Sequence, residues 1–446
     1  MCDSRVIDAS KGMVPVSECE CECENDCTHS GLSDEERTTK LRQLLQRVAK
    51  GSPFYQRKFA EAGVDIDDIR TLEDISKLPL TTKEELRDAY PLGLQAVPDE
   101  EVVRIHSSSG TTGSPVIIPY TKGDVDVWAE MMMRCYQMAG LTDTDRIQIT
   151  PGYGLWTAGI GFQAGAELLG AMAVPTGPGN TEKQLQMMLD LKSTALASTS
   201  SYALLLAEEI SKRGLKDSIK LKVGIIGSER WSPKMRTRIE DELGIETFDI
   251  FGLTEIYGPG IALDCSLHYG LHYWSDHLLF EIIDPVTGES LPDGTLGELV
   301  ITTLSKEGAP LIRYRTRDLT RIIPEACDCG SPFPRIDRLL GRTDDRIKIK
   351  GVNVYPGQIE DVVHRVEGVS SEYQIVLERD AGRDTMLFRV EVDSADDPDI
   401  NREKAKLMNK AFRDFIGISV DVECVAMGAL PRSEKKSKRV IDNREM

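Results

Sequence analysis

Between residues 146 and 250 short apolar runs alternate with longer amphipathic ones, and this alternation restricts the fold more than any other feature of the chain. Strand-like runs at 146–149, 172–175, 194–198, 223–227 and 246–250 are separated by helical periodicity at 159–169, 181–191, 202–212 and 233–243. A strand that returns parallel to its predecessor needs a crossover, and a helix supplies it. The expectation is therefore an α/β domain with largely parallel pairing. Ligands of such sheets lie beyond the carboxyl ends of the strands. The loops Gly227-Ser228-Glu229 and Phe251-Gly252-Leu253-Thr254-Glu255 follow strand-like runs and fall at that edge.

A third loop, His106-Ser107-Ser108-Ser109-Gly110-Thr111-Thr112-Gly113-Ser114-Pro115, follows the strand-like run 102–105. Its hydroxyls and backbone N–H groups suit phosphate oxygens, and Gly110 and Gly113 allow close backbone approach. The spacing is not that of the P-loop, which sets four residues between its glycines and then Gly-Lys. On composition alone the stretch equally suits a Ser/Thr/Gly linker.

The formal net charge of -19 argues against broad electrostatic binding of nucleic acid or of an anionic membrane. No apolar run is long enough to span a bilayer and no basic-then-apolar leader opens the chain, so the expectation is a cytoplasmic protein. The ten cysteines then read as thiols or metal ligands rather than a disulfide framework.

Residues 1–31 read as a disordered acidic tail in which Cys19, Cys21, Cys23, Cys27 and His29 offer metal ligation as the alternative. Helical periodicity over 32–62 places Leu41, Leu44, Leu45 and Val48 on one face, and a second helix is expected at 82–88. Beyond residue 278, strands at 278–283, 297–303 and 319–323 with a Pro292-Asp293-Gly294 turn suggest an antiparallel β appendage. A strand at 347–349, a turn at 351–357, helices at 358–366 and 402–415 and strands at 373–378, 386–392 and 419–425 suggest a small α+β domain. The expected organisation is thus a tail (1–31), a large N-terminal α/β domain (32–343) and a small mobile C-terminal α+β domain (344–446).

Five motifs in order resemble the adenylate-forming enzymes, and among them the phenylacetate–CoA ligase family. They are the residues from Ser107 to Gly113, Phe251 to Glu255, Tyr314-Arg315-Thr316-Arg317-Asp318, Gly341 to Gly351 with Val352-Asn353-Val354-Tyr355-Pro356, and Leu430-Pro431-Arg432-Ser433-Glu434-Lys435-Lys436. The resemblance implies ATP-dependent ligation of an aryl carboxylic acid, with phenylacetate first in order, to coenzyme A through an acyl-adenylate. It implies that Ser107, Ser108, Ser109, Gly110, Thr111, Thr112 and Gly113 hold phosphates. Thr254 and Glu255 would meet the α-phosphate and its Mg²⁺, since a hard cation takes carboxylate and phosphate oxygens. Asp318 would hold the ribose, Arg342 would be the second ribose contact or a phosphate contact, and Gly227, Ser228, Glu229, Phe251 and Gly252 would border adenine and substrate. Lys436 would be the mobile catalytic cation, with Lys435 and Lys438 as rivals for that role. Asp344 would be the hinge, and Gly351 would line the CoA channel. Two departures are visible: Ser114 stands where relatives usually carry lysine, and Phe251 replaces the commoner tyrosine.

Tyr153, Gly154 and Trp156 are expected to line the acyl pocket, because aromatic walls suit an aryl acid; a core role is the alternative. Cys265, His272, Cys327 and Cys329 make a closed structural zinc set, with His268 and His277 as alternative ligands, expected to brace the antiparallel appendage. Two other functions stay open: adenylyl transfer to a deazaflavin-type cofactor without a thioester, and a non-catalytic nucleotide-binding regulator. The expected partners are small molecules, with no nucleic acid and no membrane, and a homodimer is among the assemblies allowed.

Overall fold

Helix-start signals set the first elements of the computed structural model, which describes residues 31–108, 114–349, 352–380, 383–393, 395, 397–432 and 439–444. The tail cysteines and His29 lie outside these residues. Helix α1 (Asp34–Gly51) opens with a capping box: Ser33 Oγ accepts from the Glu36 N–H and the Glu36 carboxylate accepts from the Ser33 N–H. Leu41, Leu44, Leu45 and Val48 are buried along one face, as their spacing predicts. The periodicity does not continue as one helix: Pro53, lacking an N–H, starts α2 (Pro53–Ala62) at its first turn. Helix α3 (Lys83–Asp88) is capped by a Thr82–Glu85 box.

Strands β1 (Val102–Ser107) and β2 (Ile117–Thr121) form an antiparallel pair, so the Ser/Thr/Gly stretch connects a hairpin. Helix α4 (Lys122–Met138) begins after β2. The predicted alternation then follows: β3 (Arg146–Ile149), α5 (Ala158–Leu169), β4 (Met172–Val174), α6 (Thr181–Asp190), β5 (Ala195–Thr199), α7 (Ser200–Lys212), β6 (Val223–Gly227), α8 (Pro233–Leu243) and β7 (Glu246–Leu253). These strands lie in the order β4-β3-β5-β6-β7, and every pair is parallel.

The same sheet then turns antiparallel through β8 (Gly258–Asp264) and β9 (Leu271–Tyr273). Strands β10 (Leu278–Ile283), β11 (Gly297–Thr303) and β12 (Tyr314–Thr320) follow, then β13 (Ile322–Ile323), β14 (Arg335–Ile336) and β15 (Gly341–Arg342). Strands β14 and β13 complete the nine-stranded sheet beyond β9, while β10-β11-β12-β15 is a separate four-stranded antiparallel sheet, the expected appendage. The strand predicted at 319–323 is two strands in two sheets, broken at Arg321. Strand β12 was hidden because its inward residues include Thr316, Asp318 and Thr320, so no apolar alternation marks it.

The remaining residues give β16 (Ile347–Ile349), β17 (Val352–Val354), α9 (Pro356–His364), β18 (Val369–Asp380), β19 (Arg383–Val392), α10 (Pro398–Phe415), β20 (Asp421–Ala426) and β21 (Val440–Asp442). The predicted turn at 351–357 contains β17, which pairs with β16. Ile359, Val363, Phe388, Met408 and Phe412 pack a hydrophobic core separate from the one beneath the nine-stranded sheet. Among the described residues no helix is long and apolar enough to cross a membrane.

Candidate active site

The root of the Ser/Thr/Gly hairpin is fixed by hydrogen bonds. The Ser108 N–H donates to Val116 O at 3.0 Å, and Ser108 Oγ accepts from the Val116 N–H at 2.9 Å. The Ser107 N–H donates to Leu155 O at 2.8 Å, and His106 Nδ1 lies 3.1 Å from the same carbonyl. Burial pulls the His106 imidazole down to about 4, so it is neutral at physiological pH. Ser109, Gly110, Thr111, Thr112 and Gly113 lie outside the described residues, and Ser114 is exposed.

Leu155 belongs to the segment expected to line the acyl pocket. Gly154 takes φ 112, which a side chain rarely adopts, and turns the chain between Tyr153 and Leu155, both exposed. A few residues on, Thr157 Oγ1 lies 3.3 Å from Thr254 Oγ1. Segment 153–157 is therefore bonded at one point to the root of the Ser/Thr/Gly hairpin and at another to the Thr254-Glu255 turn.

Strands β6 and β7 bring the other loops to this edge. A Cβ on Gly227 would lie 2.2 Å from Ile250 O, and one on Gly252 would lie 2.0 Å from Gly258 O. Strand pairing alone therefore demands glycine at both positions. Ser228 adopts φ 68, and Ser201 Oγ donates to Glu229 Oε2 at 2.6 Å. Phe251 is buried, as is Glu255, whose carboxylate forms an ion pair with Lys83 Nζ at 2.8 Å.

Asp318 and Arg342 are cross-strand partners on β12 and β15. Arg342 Nη1 lies 3.6 Å from Asp318 Oδ1, while Asp318 Oδ2 is buried without a hydrogen-bond partner. Burial pushes the Asp318 carboxyl up to about 7, against the opposing pull of Arg342. The remaining guanidinium edge of Arg342 holds Asp344. Burial raises the Tyr314 phenol well above its ordinary value, with Glu255 and Asp318 pushing the same way and Arg342 opposing them.

Sequence reasoning missed Lys83, Thr157 and Arg230. Lys83 sits in the first turn of α3, where the capping box marks a helix but nothing marks a site. Arg230, next to Glu229, reaches Glu360 of α9 at 3.0 Å. Gly351, Lys435, Lys436 and Lys438 lie outside the described residues.

Cys265, His272, Cys327 and Cys329 bring their ligand atoms within 4.8 Å of one another. Cys265 Sγ and Cys327 Sγ are 3.8 Å apart, and Cys329 Sγ is 3.4 Å from His272 Nε2. Zn–S bonds of about 2.3 Å set tetrahedral sulfur neighbours about 3.8 Å apart, so the set has zinc dimensions. His272 Nδ1 lies 2.7 Å from Phe333 O and must donate to it, which leaves the Nε2 lone pair facing the thiols. The alternative ligands are engaged elsewhere, His268 with Asp264 at 3.1 Å and His277 with Ser305 Oγ at 2.9 Å. The cluster does not brace the four-stranded appendage as expected. Cys265 follows β8, His272 lies in β9, and Cys327 and Cys329 lie between β13 and β14, so the cluster sits at the antiparallel end of the large sheet.

The family model for the AMP-binding enzyme matches residues 34–305, and that for the AMP-binding enzyme C-terminal domain matches residues 351–444. The chain is 45% identical to a phenylacetate-coenzyme A ligase of Pseudomonas putida, across 91% of this chain and 93% of the relative. A phenylacetate-coenzyme A ligase of Escherichia coli is 42% identical across 92% and 94%. Among solved structures, 2-hydroxyisobutyryl-CoA ligase in its postadenylation state superposes with a TM-score of 0.84 at 28% identity, covering 92% of this chain and 90% of that one. The same ligase superposes at 0.70 in an open conformation and at 0.68 in the thioesterification state.

Proposed function

Because the chain belongs to the phenylacetate–coenzyme A ligase family of AMP-binding enzymes, we propose that phenylacetate is the acid it joins to coenzyme A. It is an AMP-forming acid–thiol ligase. A carboxylate is a poor acyl donor, so its oxygen attacks the α-phosphate of ATP and expels pyrophosphate. The CoA thiolate then attacks the acyl carbon and releases AMP. Positioning and charge stabilisation dominate the first step.

One observation carries the placement of the acid: segment 153–157 is bonded both to Ser107 and to Thr254. An acid lying against Tyr153, Gly154 and Trp156 would then have its carboxylate between the phosphate hairpin and the Thr254-Glu255 turn. Glu255 would be the carboxylate that holds a magnesium ion, which would supply positive charge to the phosphates, since it is buried just beyond the end of β7. Asp318 suits the ribose, because its orphaned Oδ2 is a buried acceptor awaiting a hydroxyl donor. Arg342 flanks it as the second ribose contact. Lys436 would supply the mobile positive charge of adenylation, and Gly351 would line the thioester channel. A structural zinc held by Cys265, His272, Cys327 and Cys329 would fix the edge of the large sheet. The separate core beyond residue 347 supports two domains that meet near Asp344.

The test is incubation with ATP, Mg²⁺, coenzyme A and a panel of arylacetates, benzoates and aliphatic acids. AMP and phenylacetyl-CoA in equal amounts, with the highest kcat/KM for phenylacetate, is the expected result. A higher kcat/KM for a benzoate or an aliphatic acid would overturn the substrate assignment.

A further inference from the structure

Glu208 on α7 and Arg432, which follows β20, meet from 224 positions apart in the chain. Arg432 Nε lies 3.1 and 3.0 Å from the two Glu208 oxygens, and Nη2 lies 2.7 Å from Oε1. This is the fork geometry in which arginine binds carboxylate most strongly. Both side chains are largely withdrawn from solvent, at 11% and 22% exposure, so salt screens the pair less than it would a surface contact.

Each partner has a second carboxylate or cation on its own side. Arg432 donates from Nη1 and Nη2 to the two oxygens of Glu391, a fully buried residue of β19, both at 2.9 Å. Glu208 also accepts from Arg238 Nη2 of α8 at 2.7 Å, and Arg238 in turn holds Glu242 at 2.8 Å. Separating Glu208 from Arg432 therefore leaves each with a partner: Glu391 stays with Arg432, and Arg238, shared with Glu242, stays with Glu208. That matters because an uncompensated buried charge is what makes breaking such pairs costly.

Two more contacts cross the same boundary from α8 and the loop before it, Arg230 to Glu360 at 3.0 Å and Lys234 Nζ to Val366 O at 3.0 Å. The arrangement they belong to superposes better on the postadenylation state of 2-hydroxyisobutyryl-CoA ligase, at 0.84, than on its thioesterification state, at 0.68. A contact present in one arrangement and absent from another biases the equilibrium between them by its own free energy.

We infer that Glu208 is a positioning residue for the first half-reaction: it seats Arg432, and with it the small domain, in an arrangement like the one 2-hydroxyisobutyryl-CoA ligase takes around its acyl-adenylate before thioesterification. This rests on the ligase reading, and it assigns to α7 a task in one step and none in the other.

Glu208→Gln in the full-length chain tests it, with the two half-reactions measured separately. Acyl-adenylate formation, followed by pyrophosphate exchange with phenylacetate, should fall about tenfold. Thioester formation from supplied phenylacetyl-adenylate and coenzyme A should keep the wild-type rate. Glu208→Asp, which retains the charge, should recover most of the lost exchange. Equal loss in both half-reactions, no loss in either, or failure of Glu208→Asp to recover activity would overturn the seat while leaving the ligase reading intact. Wild-type protein inactive in both half-reactions across the acid panel would overturn the ligase reading and this inference with it.

Discussion

Arg342 grips Asp344 at two points, Nε to Oδ1 at 2.8 Å and Nη2 to Oδ2 at 2.9 Å. The same guanidinium lies 3.6 Å from Asp318, so the residue expected to act as hinge and the residue expected to hold the ribose share one cation. Asp344→Ala frees Arg342 to turn toward Asp318. The pair is half exposed, so the change should raise the KM for ATP by roughly two- to fivefold and leave the KM for the acid unaltered. Initial rates with each substrate varied in turn check this.

Asp318 makes stability depend on pH. Burial raises its folded carboxyl to about 7, above the ordinary 3.8, so the folded chain binds more protons than the unfolded chain between those values. Its contribution to stability is fully present below pH 3.8 and is lost as pH rises through about 7. Asp318→Asn removes this term. The variant should show a flatter decline of Tm between pH 5 and pH 8, read by calorimetry without nucleotide, together with a higher KM for ATP.

Lys83 occupies the carboxylate that the magnesium ion would share with phosphate. Lys83→Met removes this competitor, and the half-saturating Mg²⁺ concentration for pyrophosphate exchange should fall. Glu255→Gln should raise it steeply and lower exchange by about a hundredfold or more. A Mg²⁺ titration of both variants at fixed ATP separates this from a general loss of fold.

The parallel half of the large sheet was legible because β5 and β6 are buried at every position, which leaves continuous apolar runs between helical stretches. Strand β12 was not, since its inward face carries Thr316, Asp318 and Thr320, polar residues that leave no apolar alternation to read. The cluster of Cys265, His272, Cys327 and Cys329 was legible as a set, because three thiols and an imidazole have few other joint uses. Their location was not: the gap from Cys265 to Cys327 does not say that β13 leaves the appendage to join the large sheet. The Lys83–Glu255 pair was beyond reach for the same reason, being a contact between distant segments with no local signature.

The thiol cluster should hold one zinc ion per chain, measurable by atomic emission on protein purified without added metal. Chelation, or Cys327→Ser with Cys329→Ser, should lower Tm by several degrees, because the antiparallel end of the sheet loses its clamp. At low temperature the kcat should be retained, since Cys265 and its partners lie away from Thr254 and Glu255 along the sheet. Loss of kcat without loss of Tm would assign the cluster to the reaction instead.

Lys436 offers the sharpest division between the two chemical steps. Adenylation develops negative charge on the α-phosphate and on departing pyrophosphate, and a cation brought against them acts where that charge grows. Ser114 stands where the resemblance leads one to expect lysine, so a greater dependence on a cation from elsewhere is expected here. Lys436→Ala should therefore cost about 3–4 kcal/mol in acyl-adenylate formation, some two to three orders of magnitude in rate. Supplied phenylacetyl-adenylate should still react with coenzyme A at the wild-type rate, because the second step expels AMP already formed. Equal loss in both steps, measured by rapid quench, would assign Lys436 to the fold of the small domain, and Lys435→Ala and Lys438→Ala serve as the controls that fix which lysine carries the charge.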